Sequence, residues 1–326
     1  MKLLITGGAG YIGSHVLNLC GEAEHEIVVL DNLSTGRKES ILYGRHAEFS
    51  IEETARLDEL FKKEKFEAVI HFAGSIVVPE SVIDPLKYYE NNTLNSLSMI
   101  KMCLKYGVKN FIFSSTAAIY GDSAPDGICR EESLIAPLNP YGHSKYMTEV
   151  MLESTALAHD FNYVALRYFN VAGANVELKI GQCTPNATHL IKIACECATG
   201  KRDEMQVYGE DYDTPDGTCI RDYIHVDDLA MAHMEALDFI IKEESSVAVN
   251  CGYGNGFSVR EVIKAVKEVS GVDFKVNMGP RRAGDAARLI SRADKIKEIF
   301  GWQPKYQDLN LIVRTALEWE RNLAEK

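Results

Sequence analysis

Within the 326-residue chain, Tyr141-Gly142-His143-Ser144-Lys145 is the stretch best suited to proton chemistry. On a helix, residues four apart share a face, so the Tyr141 phenol and the Lys145 ammonium point the same way. A free phenol ionises near pH ~10, too high for a base at neutral pH, and a cation beside it favours the phenolate. Thr116 ends the run Ser114-Ser115-Thr116 and adds a hydroxyl able to relay or orient a proton. Tyr-x-x-x-Lys alone is a weak signal, because a surface tyrosine one turn before a lysine needs no function. Its weight comes from what stands before it in the chain.

Leu3-Leu4-Ile5-Thr6 reads as a buried parallel strand, and Ser14 to Cys20 has the apolar spacing of a helix. Between them, Gly7, Gly10 and Gly13 can supply a tight turn, a close approach of backbone to a pyrophosphate, and close helix-to-strand packing. The helix beginning near Tyr11 and Ile12 then turns free N–H groups and its positive end toward the phosphates. The next strand, Glu26 to Leu30, is closed by Asp31, placed for a ribose 2′-hydroxyl. An acid there repels a 2′-phosphate, so the cofactor expected is NAD rather than NADP. A bound, positively charged nicotinamide would add to the effect of Lys145 on Tyr141, and the Lys145 ammonium can also hold the nicotinamide ribose.

Strand and helix patterns alternate through the first half: a helix over 56–64, a strand over 68–72 ending at Ala73-Gly74, a long helix over 85–106 closed by Gly107, and a strand over 111–113. A helix over 140–159 and a strand over 163–168 follow. This predicts an α/β fold with a Rossmann-type, doubly wound parallel sheet. Beyond Asn170 turns rich in Gly, Pro, Asp and Asn take over, with helices near 188–199, 259–270 and 308–323, which predicts a smaller, irregular lobe. The segments 224–226 and 247–250 read as strands returning to the main sheet. Residues 1–170, with returning segments near 224–250, are expected to form the NAD-binding domain, and 171–223 with 251–326 the second lobe.

A net charge of −12 disfavours a nucleic-acid partner. No charged leader precedes an apolar stretch and no apolar run is long enough to cross a bilayer, so a cytoplasmic protein with no membrane association is expected. The eight cysteines are scattered through apolar segments as reduced thiols would be. Cys195 and Cys197 lie two apart on a helix, where side chains do not face each other, so no metal site is expected.

Several longer motifs carry a family resemblance. Thr6 to His15, Asp31-Asn32-Leu33-Ser34, His71-Phe72-Ala73-Gly74, Pro140 to Lys145, Leu166 to Asn170, Asp216 to Val226 and Pro280 to Asp285 together resemble the extended short-chain dehydrogenase/reductases, and within them the UDP-hexose 4-epimerases. The resemblance spans nearly the whole chain. It implies that Tyr141, assisted by Thr116, takes the proton of the sugar 4-hydroxyl while the C4 hydride passes to NAD, and that the 4-keto sugar turns over and recovers the hydride on its other face. The cofactor set implied is Gly7, Gly10, Tyr11, Ile12, Gly13, Asp31, Asn32, Ser34, Ser50, Ile51, Phe72, Ala73, Gly74, Asn91, Ser114, Tyr141, Lys145 and Tyr168. Besides Thr116 and Tyr141, the UDP-sugar is expected to meet Phe169, Asn170, His189, Leu190, Gln206, Tyr208, Arg221, Tyr223, Arg282, Asp285 and Leu289. A homodimer joined through the helices over 85–106 and 140–159 is also implied.

Departures from the family pattern are informative. Ser50 stands where many relatives carry an acid toward adenine, Ile76 where some carry a lysine near the phosphates, and His189 where some carry an asparagine beside the sugar. Leu289 stands where a tyrosine is associated with pockets restricted to plain hexoses, so a pocket open to UDP-N-acetylglucosamine is expected beside UDP-glucose. Two rival readings remain. Nucleotide-sugar 4,6-dehydratases and decarboxylases on this scaffold place an acid directly after the strand-end threonine, whereas this chain has Ala117 and Ala118. A non-catalytic NAD-sensing regulator would have no need of Thr116, Tyr141 and Lys145 together.

Overall fold

The computed structural model describes residues 1–124, 126–185, 187–282 and 284–324, so Ala283 of the Pro280–Asp285 motif lies outside the described residues. The first half runs β1 (Lys2–Thr6), α1 (Tyr11–Glu22), β2 (Glu26–Leu30), β3 (Arg45–Ala47), α2 (Thr54–Glu64), β4 (Ala68–His71), α3 (Val78–Ile83), α4 (Pro85–Tyr88), α5 (Asn95–Tyr106), β5 (Asn110–Ser114), β6 (Ile128–Cys129), α6 (Pro140–Ala158) and β7 (Asn162–Tyr168). The second half runs β8 (Asn170–Ala172), α7 (Leu190–Ala198), β9 (Glu204–Tyr208), β10 (Ile220–His225), α8 (Val226–Glu243), β11 (Val247–Cys251), β12 (Gly256–Ser258), α9 (Val259–Ser270), β13 (Lys275–Gly279), β14 (Arg288–Ser291), α10 (Asp294–Phe300) and α11 (Leu309–Ala324).

Seven strands form one sheet in the order β11-β7-β5-β4-β1-β2-β3, every pair parallel. This is the doubly wound α/β fold expected from the sequence. Alternation along each strand sends side chains to opposite faces. Leu3 and Ile5 of β1 join Val16 and Leu17 of α1 and Leu229 and Ala236 of α8 on one face. Leu4 packs on the other with Leu57 and Phe61 of α2, Met99 of α5 and Leu152 of α6. Burying each such leucine or phenylalanine contributes about 1.5–3 kcal/mol, so a register slip of one residue in β1 would exchange both cores at once.

Two local expectations need correction. Of the two segments expected to return to the main sheet, only β11 does so, against β7. Ile224 and His225 end β10 and Val226 begins α8; β10 pairs with β12, β14 and β8 in a second sheet, and β9 pairs with β13 apart from both. The buried second half of β10 reads as strand in the sequence, and such a pattern does not say which sheet buries it. The long helix over 85–106 contains a π-helical turn over Tyr89–Leu94 between α4 and α5. Its insertion shifts the face on which Asn91 and Asn92 emerge, as π-turns at functional sites do.

Candidate active site

The sheet order reverses between β1 and β4, and the chain ends beyond those strands open a crevice where ligands of such sheets bind. At β1, Gly7 has φ +70°, and a Cβ there would stand 2.7 Å from the backbone nitrogen of Ala73. At Gly13 a Cβ would stand 2.3 Å from the carbonyl oxygen of Gly7, so α1 can lie this close to the turn only with glycine there. The Asp31 carboxylate accepts from the backbone N–H of Ala9 (2.9 Å) and of Leu33 (2.8 Å), which fixes it at the rim of the cradle. Asn32 accepts from the N–H of Ser34. The Tyr11 hydroxyl donates to the carbonyl of Gly173, tying the start of α1 to the second lobe. A close-packed glycine turn, a helix N-terminus and a fixed acid are what a dinucleotide needs, so these residues fit NAD.

The residues expected to handle the proton come from the segment just past β5 and from α6. Asn139 caps α6 by accepting from the N–H of Gly142 (2.9 Å), and Pro140 occupies the first helical position, which sets the helix start so that Tyr141 lies in the first turn. Lys145 follows one turn on, and both side chains are buried. Thr116, just past β5, accepts from the N–H of Ala118 at 3.1 Å. Burial raises the Tyr141 phenol above its ordinary range, and hydrogen bonding with the Thr116 side chain opposes that rise. The expectation that Lys145 lowers the phenol is therefore not met by these two residues alone. The Lys145 ammonium donates to the carbonyl of Ser114 (2.9 Å) and lies 5.0 Å from the centre of the Phe113 ring, and burial lowers its own pKa to about 8.

A buried polar network stands behind this corner. Arg167 of β7 grips Glu149 of α6 through two nitrogens, with Nη2 to Oε2 at 2.7 Å, and Ser115 donates to the same carboxylate. Arg167 also reaches the Tyr120 hydroxyl (3.0 Å), which donates to Asn250 of β11 at 2.7 Å. Ser114 and Tyr168 share a short hydroxyl contact at the edge of the site. From the π-turn, Asn92 accepts from the N–H of Ser75 (2.7 Å) and donates to Ser144, while Asn91 donates to Ser75. The loop after β4 is thereby joined to α6.

The far end of the cleft is built differently. Arg221 of β10 donates to the carbonyl of Ile220, and Leu289 of β14 sits beside Arg221 in register. Arg282 pairs with Asp285 (3.0 Å) and places its guanidinium 5.0 Å from the centre of the Tyr208 ring. Leu289 packs partly against the cluster that contains Ala117, Tyr120 and Phe169. Together with Ile12, Gly10, Ser50, Ile51, Phe72, Gly74, Asn170, Leu190, Gln206 and Tyr223, all of these expected residues line one cleft of about 890 Å³. His189 lines it too, and burial lowers the pKa of its imidazole. The cleft also takes in Ser75, Gln182 and Arg202, which the sequence reading passed over. Asn92 was missed as well, although two adjacent asparagines inside a helical pattern are a detectable anomaly.

Residues 3–252 match the model of the NAD dependent epimerase/dehydratase family. The chain belongs to that family. A UDP-glucose 4-epimerase of Azospirillum brasilense is 51% identical over 99% of this chain and 93% of its own length. Among solved structures, the UDP-Glc/GlcNAc 4-epimerase of Campylobacter jejuni is 53% identical, with a TM-score of 0.85 over 98% of this chain and 99% of that one. The UDP-glucose 4-epimerase of Brucella ovis, solved in complex with NAD, is 43% identical with a TM-score of 0.93 over 97% of each chain. All eight cysteines are free, and among the described residues there is no cluster suited to a metal ion and no helix long and apolar enough to cross a membrane.

Proposed function

We infer that this family member is an NAD-dependent 4-epimerase of UDP-hexoses, interconverting UDP-glucose and UDP-galactose. The observation that carries the reading is the placement of Tyr141, Lys145 and Thr116 on the cleft that also holds the glycine cradle and Asp31. NAD held there would accept the hydrogen at C4 of the hexose as hydride and return it. Tyr141 takes and returns the proton of the 4-hydroxyl, and Thr116, its hydrogen-bond partner, orients that proton. Lys145 holds the nicotinamide ribose, and Asp31 the adenosine ribose. The positive charge that accompanies bound NAD⁺ supplies the pull on the phenol that burial withholds. Arg221 and Arg282 take the diphosphate, for which a guanidinium fork is suited in charge and geometry. Ala117 and Ala118, which line the cleft after Thr116, offer no second acid for a dehydration or decarboxylation.

The Leu289 side chain lacks the length and hydroxyl of tyrosine, and its place in the cleft supports a pocket that also takes UDP-N-acetylglucosamine. The working form on this reading is a cytoplasmic homodimer. Leu94 in the π-turn, with Met147, Val150 and Leu157 of α6, is exposed, leaving an apolar surface on the two helices expected to pair.

The test is to incubate the purified protein, without added NAD, with UDP-glucose and separately with UDP-N-acetylglucosamine, and to follow the 4-epimers by chromatography. Turnover of both is expected. Leu289→Tyr should lose the N-acetylated substrate first, and equal loss of both would remove the pocket argument. No turnover of either, with NAD supplied, would overturn the epimerase reading.

A further inference from the structure

His189 occupies the N-cap position of α7, yet its side chain does not cap the helix. Its Nδ1 instead meets the side-chain nitrogen of Gln182 at 2.7 Å. An amide nitrogen only donates, so Nδ1 is the acceptor and the ring proton resides on Nε2. That nitrogen has no hydrogen-bond partner among the described residues, and the ring lines the cleft beside Leu190 and Asn170.

Gln182 is itself held from two helices. It is buried, and its backbone carbonyl accepts from Lys192 of α7 (3.1 Å) and from the indole N–H of Trp319 of α11 (3.2 Å). Lys192 pairs in turn with Glu320 of α11 and lies 3.6 Å from Glu196, and Lys201 lies 3.6 Å from Glu320. The charged groups around this corner pair with one another rather than with His189. Burial lowers the pKa of the imidazole, which favours its neutral form.

We propose that Gln182 is a positioning residue of the UDP-sugar site: its amide holds the His189 imidazole as an Nε2–H donor, and that donor takes an acceptor oxygen of the UDP-sugar. The proposal rests on the epimerase reading above. It gives a role to a residue whose surroundings from 173 to 189 carry no periodic pattern, and it explains how a histidine can serve where an uncharged donor is required.

The experiment compares the wild type, Gln182→Leu, His189→Asn, the double variant and Gln182→Glu by steady-state kinetics on UDP-glucose, with bound NAD measured in each. Gln182→Leu should raise KM about tenfold, the effect of one hydrogen bond, with a much smaller change in kcat and NAD retained. His189→Asn carries a donor that has no tautomer to set. In that background Gln182→Leu should cost no more than about twofold, within ordinary additivity error. The carboxylate introduced by Gln182→Glu would accept a hydrogen bond from Nδ1–H and favour the imidazolium, so the kcat/KM profile should gain an ionisation between about pH 6 and 8 that the wild type lacks. Equal losses from Gln182→Leu in both backgrounds, or no new ionisation in Gln182→Glu, would overturn the proposal and leave the epimerase reading standing. A wild type that does not turn over UDP-glucose would overturn both.

Discussion

The two ends of the cleft are built on opposite plans. At the Tyr141 end every functional side chain is buried and backed: Lys145 by the Ser114 carbonyl, the β5 end by Ser115 on Glu149, and Glu149 by the Arg167 fork. At the Arg282 end the side chains are partly exposed and are held by one another, guanidinium to carboxylate and guanidinium over the Tyr208 ring. A proton transfer depends on tenths of an ångström, so its residues are fixed before substrate arrives. A diphosphate is gripped mainly by charge, which tolerates looser geometry.

That contrast predicts distinct consequences for substitutions at the two ends. The largest effect is expected from Tyr141→Phe, which removes the proposed base and leaves the pocket shape: turnover of UDP-glucose should fall about 10²–10⁴-fold with NAD still bound, measured by chromatography and by the absorbance of the released cofactor. Unchanged turnover would reassign the base. Next, Glu149→Ala strands the buried Arg167 charge and should cost about 3–5 kcal/mol, visible as a melting temperature lower by about 10 °C even though Glu149 does not line the cleft. If the melting temperature holds and only the rate falls, the network serves the site rather than the fold.

The pH dependence of stability sharpens the comparison further. Burial lowers His71 to about 3 and His225 and His233 to about 4. Their unfolded forms take up protons first as pH falls, so their stabilisation is complete above pH ~6.5 and is lost down toward pH ~4, about 1.4 kcal/mol per unit for each. Asp222 has the opposite sign, since burial raises it to about 6 and its contribution is lost as pH rises through that value. The net expectation is a melting temperature that falls steadily between pH 7 and pH 4; a flat profile would mean these imidazoles are protonated in the fold. The smallest effect is expected from Arg282→Ala: KM should rise about tenfold, less at high salt, with the melting temperature unchanged, because a partly exposed ion pair contributes little to folding.

The same division governs what the sequence could reveal. Gly7, Gly13, Asp31 and the Tyr141–Lys145 pair were legible because their constraints are local: a turn without room for a Cβ, or two side chains one helical turn apart. The parallel sheet was legible from alternating periodicities. Pairings set by distant chain were not. Nothing within Ile220–His225 says that β10 joins β12 and β14 rather than β7, and nothing near Tyr120 announces Asn250, 130 residues on. The π-turn escaped because it changes the helix by a single hydrogen-bond step while leaving the apolar spacing around it readable. Gln182 escaped because it stands in irregular chain, where its role depends on what Trp319 and Lys192 do more distantly in the sequence.

The seventh strand of the main sheet bears on how the molecule is made. As the chain leaves the ribosome, residues 1–170 carry six of the seven strands, yet β7 then presents its free edge, with Val164 and Leu166 on it, until β11 has emerged and paired with it. An unpaired edge of that kind is an open template for another chain. Synthesis must therefore pass residue 251, carrying α7 through α8 along the way, before β7 is covered and the sheet's edge moves out to β11. A stop codon placed between the two halves would yield an adhesive fragment rather than a smaller nucleotide-binding protein.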